Sequence, residues 1–282
     1  MNASGIKSFQ VVPDEVLNRF TRQYRITSHS LKHAYGAVRF QRASSLPMLD
    51  VDGLAFMAED TAKPNGDNEQ RIETEGWLLR SAFVDLITGL NESLIEACKI
   101  IRLAEAQRNS KAQPFANEAA LERHFDKVDD DLIKATIPTL LMELGASVKR
   151  PLLYLNEIQS INKVRNCLIH RNGIVGRRDV NEPDADVLRL YYRVHRIHAR
   201  VEDADHLVDR AFKARSHLVN GIRTEVLQST SDAKLGSAIG LSTDIFNDVA
   251  FTSFLFLQDL RLAIYDVLDV APKQVAPEIV LV

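Results

Sequence analysis

Two cysteines, Cys98 and Cys167, are all that the 282 residues contain, too few for a disulfide framework. No apolar run is long enough to span a bilayer, and the N-terminal stretch has no signal-peptide pattern. Both features point to a reducing cytoplasm and to partners other than a membrane. A net charge of -3 excludes a protein that coats nucleic acid with its whole surface. Also missing are a Gly-rich phosphate loop, a dinucleotide fingerprint, a nucleophile elbow and a Cys-x-x-Cys pair. What remains is ordinary globular composition, 45% hydrophobic and 26% charged, enough for one large domain or two small ones.

Apolar spacing predicts a mainly α protein. Pro13 and Asp14 suit the start of a helix through residue 42, on which Val16, Phe20, Tyr24, Leu31, Tyr35 and Val38 recur at near-helical intervals. Residues 44–68, with Pro47, Pro64 and the run Asn65-Gly66-Asp67-Asn68, read as a connection. The strongest stripe, Leu79, Phe83, Leu86, Leu90, Leu94, Ala97, Ile101 and Ala104, predicts a helix over 70–108. Trp77 is expected to fill the core at its start, and Gly89 suggests a close helix crossing. Residues 118–147 read as one helix or a pair broken at Pro138. The apolar-periodic stretch Val187–Val194 follows a cap at Asp184-Ala185-Asp186, and a small strand-containing insert is expected around 197–241. From Ser242 a last helix, apolar on nearly every side, should sit at the centre of a bundle or in an interface. The organisation expected is an N-terminal helical extension and linker over 1–68, then a helical bundle over 69–282.

Chemistry concentrates in residues 153–173. This stretch reads as one helix ended by Asn172-Gly173, since glycine tolerates the left-handed conformation that terminates helices. Tyr154, Ile158, Ile161 and Leu168 form its apolar stripe, and Arg165 falls on the same stripe. A guanidinium stays charged at ordinary pH, so that position asks for a partner or an anion. Asn166 and His170, four apart, share the neighbouring face with Lys163. From Lys149 to Arg178, seven Lys or Arg stand against the single acid Glu157, a local charge of +6 in an acidic chain.

Residues 164–175, Val-Arg-Asn-Cys-Leu-Ile-His-Arg-Asn-Gly-Ile-Val, resemble the HEPN superfamily, whose motif is Arg, a polar residue, a short spacer and His. Long preceding helices and a hydrophobic final helix also suit that layout. The resemblance implies an antiparallel helical bundle and a metal-independent endoribonuclease that needs no cofactor. It implies Arg165, Asn166 and His170 as catalytic residues, with Lys163 and Arg171 as further substrate contacts. RNA is the implied partner, in a homodimer with a composite active site. A toxin or antiviral defence effector, held by an antitoxin or sensor protein, is the corresponding cellular setting. No tyrosine follows His170 within a few residues, so the nucleotidyl modification found in part of that superfamily has no acceptor there.

Spacing alone does not carry the assignment. Arg followed at similar distance by His recurs at Arg22/His29, Arg189/His195, Arg193/His198, Arg200/His206 and Arg210/His217. Arg165/His170 differs in its adjoining Asn166, its clear helix and its local positive charge. Asp129–Asp131 and the cluster His195, His198, His206 read as solvated side chains rather than metal ligands. On an ideal helix of about 100° per residue, Arg165 and His170 lie about 140° apart, which argues for a site shared with a second copy. Two other readings stay open. One is a non-catalytic helical dimerisation or RNA-binding module. The other is a plain bundle in which Arg165 pairs with a buried acid and His170 merely caps a helix end.

Overall fold

A computed structural model describes residues 12–40, 49–51, 54–56, 66–109, 118–201, 204–207 and 219–270. The chain is mainly helical: α1 Glu15–Phe40, α2 Gly66–Asn109, α3 Glu118–Ile133, α4 Ile137–Ser147, α5 Leu155–Arg171 and α6 Thr243–Leu268. Between α1 and α2 lies a two-stranded hairpin, β1 Leu49–Val51 with β2 Leu54–Phe56. Between α5 and α6 lies a three-stranded antiparallel sheet of order β4-β3-β5, made of β3 Val187–Val201, β4 Ala204–Leu207 and β5 Val219–Lys234. No described helix is long and apolar enough to cross a membrane.

The core follows the α2 stripe. Phe83, Leu86, Ile87, Leu90 and Leu94 are inaccessible to solvent, as are Leu257, Leu260, Ala263 and Ile264 of α6. Each such large side chain contributes roughly 1.5–3 kcal/mol on burial. Helix α1 belongs to the same core through Val16, Phe20 and Leu31. Its crossing with α2 is close because position 89 is glycine: a Cβ there would lie 2.6 Å from Gln23 Cβ. Trp77 does not fill the core. It is 59% exposed, because the buried row of α2 begins only at Leu79 and the preceding turns stand clear of it.

Pro138 separates two helices. Thr136 adopts an extended backbone at the head of α4 and its hydroxyl accepts from Thr139 N–H. Pro138 sits in the first turn, where a missing N–H leaves no hydrogen bond unmade. Helix α5 stops as the Asn-Gly pair requires, with Asn172 at φ 50° and Gly173 at φ 80°, both N–H groups pointing back to Cys167 O.

The stretch beginning at Val187 is a strand, and the sheet is larger than a small insert at 197–241. Its pattern is period two, not helical: Leu188, Leu190 and Tyr192 are buried between Arg189, Tyr191 and Arg193. β3 pairs with β5 from Val187↔Lys234 outward. Its other edge is closed near the body by side chains. Arg189 N–H donates to Asn181 Oδ1 (2.7 Å), Tyr191 N–H to Ser160 Oγ of α5 (2.9 Å), and Arg193 N–H to Thr252 Oγ1 of α6 (2.7 Å). These bonds dock both helices on a strand edge that would otherwise invite another chain.

Candidate functional site

Helix α5 has two polar ends. At the first, Glu157 is buried and receives Arg193 through Nε at 2.8 Å and through a second donor. The Arg193 guanidinium lies 5.1 Å from the Tyr154 ring centroid. Asp259 of α6 accepts Leu153 N–H at 2.8 Å and pairs with Arg150 at 2.7 Å. These groups fix how α5 sits against β3 and α6.

The other end opens onto a cleft of about 610 Å³ between α5, α2 and the turn entering α4. Its cationic wall carries Lys163, Arg165, His170, Arg171 and Arg178, with Asn166 among them. All five residues expected at the site thus reach one cleft. Asn162 and Asn166, one turn apart, form its midline along α5, and Arg165 and His170 flank them. The 140° between the two does not separate them. A long arginine at the rim can bend back over the groove, and Arg165 Nη1 does so to reach Asn166 Oδ1 at 3.1 Å. A second copy is therefore unnecessary to bring Arg165 and His170 to one cavity.

Arg165 lies on the buried side of α5, angularly between Ile158 and Ile161, but is not itself buried. The buried row is Ile158, Ile161, Val164, Cys167 and Leu168, and Arg165 is half-buried. No described carboxylate pairs with it, so the buried-acid reading of Arg165 finds no partner. Asn166 steers Arg165 rather than His170, for no hydrogen bond joins Asn166 to the imidazole. His170 is exposed in the last turn, before Asn172 ends the helix.

Lys163 and Arg171, expected as substrate contacts, are engaged with the protein. Lys163 Nζ donates to Val180 O at 3.1 Å. Arg171 makes a two-pronged ion pair with Asp179, which is 2% exposed and also accepts Gly176 N–H at 2.8 Å. Burial pushes the Asp179 carboxyl upward, but the Arg171 guanidinium and the Gly176 N–H outweigh it and hold the group below the usual carboxylate range. Both cations pin residues 176–180 to α5 and so build the cleft wall. Lys149, Arg150 and Arg177 of the same basic window are also paired, with Asp269, Asp259 and Asp186. The positive charge left at the cleft comes from Arg165 and Arg178, neither facing a described carboxylate, and from Lys163.

Three lining residues carried no signal on their own. Asn162 shows only as the residue one turn before Asn166. Asn91 and Thr88 come from α2, and no spacing within one segment links them to α5. Cys167 is buried, its thiol donating to Ile174 O at 3.2 Å and pushed up to about 11 by burial and by Asp179. It is a packing residue, not a nucleophile. Among the described residues no three His, Cys, Asp or Glu side chains gather as metal ligands. Comparison with known proteins finds no matching family, no matching curated protein and no matching solved structure.

Proposed function

We propose that the cleft binds the phosphodiester of RNA and that the protein is a HEPN-type endoribonuclease. The observation that carries this reading is the convergence of Arg165, Asn166 and His170 on one cavity, with no carboxylate partner for Arg165 among the described residues. RNA brings its own nucleophile, so the protein has only to move protons and stabilise charge. The 2′-oxygen attacks phosphorus, the bond to the 5′-oxygen breaks, and the products are a 2′,3′-cyclic phosphate and a 5′-hydroxyl. Neutral His170 takes the 2′-hydroxyl proton, or imidazolium gives one to the departing 5′-oxygen. Arg165 and Arg178 offset the negative charge that builds on the non-bridging oxygens, and Asn166 holds the Arg165 fork in place.

The proposal includes an antiparallel HEPN-like bundle and a twofold dimer. In-line displacement asks for a proton acceptor and a proton donor on opposite sides of the phosphorus, and His170 is the one histidine among the described residues of the cleft wall. A facing copy supplies the second. A toxin or defence effector in the cytoplasm, restrained by an antitoxin or sensor, is the setting proposed.

The test is incubation of the purified protein with mixed RNA in EDTA, beside His170→Ala and Arg165→Ala. Wild type should cleave and leave cyclic phosphate ends, and each variant should lose on the order of 10²–10⁴-fold in rate. RNA binding without cleavage by the wild type favours the non-catalytic module instead. Equal residual cleavage by all three proteins overturns the site. Cleavage that depends on a divalent metal overturns the mechanism.

A further inference from the structure

The side of the cleft formed by α2 and the turn entering α4 has a different character from the cationic wall. Asn162 is 7% exposed, yet its side chain makes no hydrogen bond to another described residue, and it faces the cavity. Asn91, across the cleft on α2, likewise has no partner for its amide among the described residues. The Asn162 amide is not sealed from solvent, so its donors and acceptor are presented to whatever occupies the cavity. Ile87 and Ile137, both buried, and Pro138, exposed, line the same cleft. The lining residues contributed by α2 and by the turn entering α4 include no lysine, arginine or acid.

We propose that Asn91 and Asn162 form a nucleobase subsite that selects the nucleotide attached to the phosphate held at Arg165. The inference rests on the RNA reading above and adds base selection to it. Each amide offers one acceptor and two donors, the complement of a base edge, and the exposed ring of Pro138 suits a base face. A phosphate does not fit this end, because amides and aliphatic groups give it no charge. A base does, because its edge carries neutral donors and acceptors at fixed spacing. The α5 register links the two subsites: Asn162 and Asn166 are one turn apart on one face, and Asn166 holds Arg165.

The experiment measures equilibrium binding of the four ribonucleoside 5′-monophosphates and of ribose 5-phosphate to the full chain, with and without Asn162→Ala or Asn91→Ala. At least one nucleotide should bind the wild type roughly ten-fold or more tightly than ribose 5-phosphate, the scale of an amide–base contact. Each substitution should erase that margin and leave the ribose 5-phosphate affinity within about two-fold. The two variants lie on different helices, so misfolding of one leaves the other to decide. Equal affinities for the nucleotides and ribose 5-phosphate overturn the subsite, as does a margin that survives both substitutions, or no binding by any nucleotide. RNA cleavage without base preference overturns the subsite and leaves the ribonuclease reading standing. Base-dependent binding by a protein that cleaves no RNA supports the subsite and overturns the catalytic reading.

Discussion

The two ends of α5 treat buried polarity in opposite ways. At the Glu157 end the charged groups are matched: the carboxylate meets Arg193, and Asp259 meets Arg150 and the Leu153 N–H. At the cleft the Asn162 amide has no partner among the described residues, and among them Arg165 is held only by the neutral Asn166. A network closed on itself specifies packing and has no capacity for a ligand. A network left open keeps donors and charge for something that arrives from outside. The Arg171–Asp179 pair stands between these cases. It is closed in itself but forms the wall of the open end.

Substitutions along α5 should therefore split by position. The largest stability loss is expected for Glu157→Ala, which strands the Arg193 guanidinium against β3 and removes its two-pronged partner. About 3 kcal/mol should be lost in urea or guanidinium unfolding, in line with breaking a buried ion pair from one side. A loss below about 1 kcal/mol would erase the contrast between the ends.

Asp179→Asn should cost less, about 2 kcal/mol, because Arg171 keeps some contact with water. This pair also carries a pH signature. The Asp179 carboxyl is held below its ordinary value in the fold. Its contribution is thus fully present above the unfolded carboxylate pKa, and is lost as pH falls through the lower folded value. Wild type should lose stability in acid, over the range below about pH 4, more steeply than Asp179→Asn. Parallel acid unfolding curves would remove Asp179 from the account.

Much of this division was legible in the residues. Helix α5 could be read from its spacing and its Asn-Gly stop, and the α2 stripe from one residue in three or four. Arg165, Asn166 and His170 could be singled out because polar residue types were crowded at one helix end. The strand beginning at Val187 was also written in the chain, as the alternation of Leu188, Leu190 and Tyr192 with Arg189, Tyr191 and Arg193, but Asp184-Ala185-Asp186 resembles a helix cap closely enough to mask it. Trp77 was misplaced because side-chain size predicts burial only where a second element covers the position. Other features were not legible at all. Asn91 meets the α5 cleft through tertiary packing, and Ser160 and Thr252 read as unremarkable helix hydroxyls until a strand edge lies against them. The sequence also did not reveal that most of the basic window is neutralised, since Asp259 and Asp269 come from the end of the chain.

The sharpest test of the contrast is the unfolding free energy of Arg165→Ala, measured beside Glu157→Ala under the same conditions. With no described carboxylate to strand and a side chain only half-buried at the cleft, the Arg165 variant should stay within about 1 kcal/mol of the wild type. A loss of about 3 kcal/mol, equal to that of Glu157→Ala, would contradict the account by showing Arg165 to be a structural group like those at the other end of the helix.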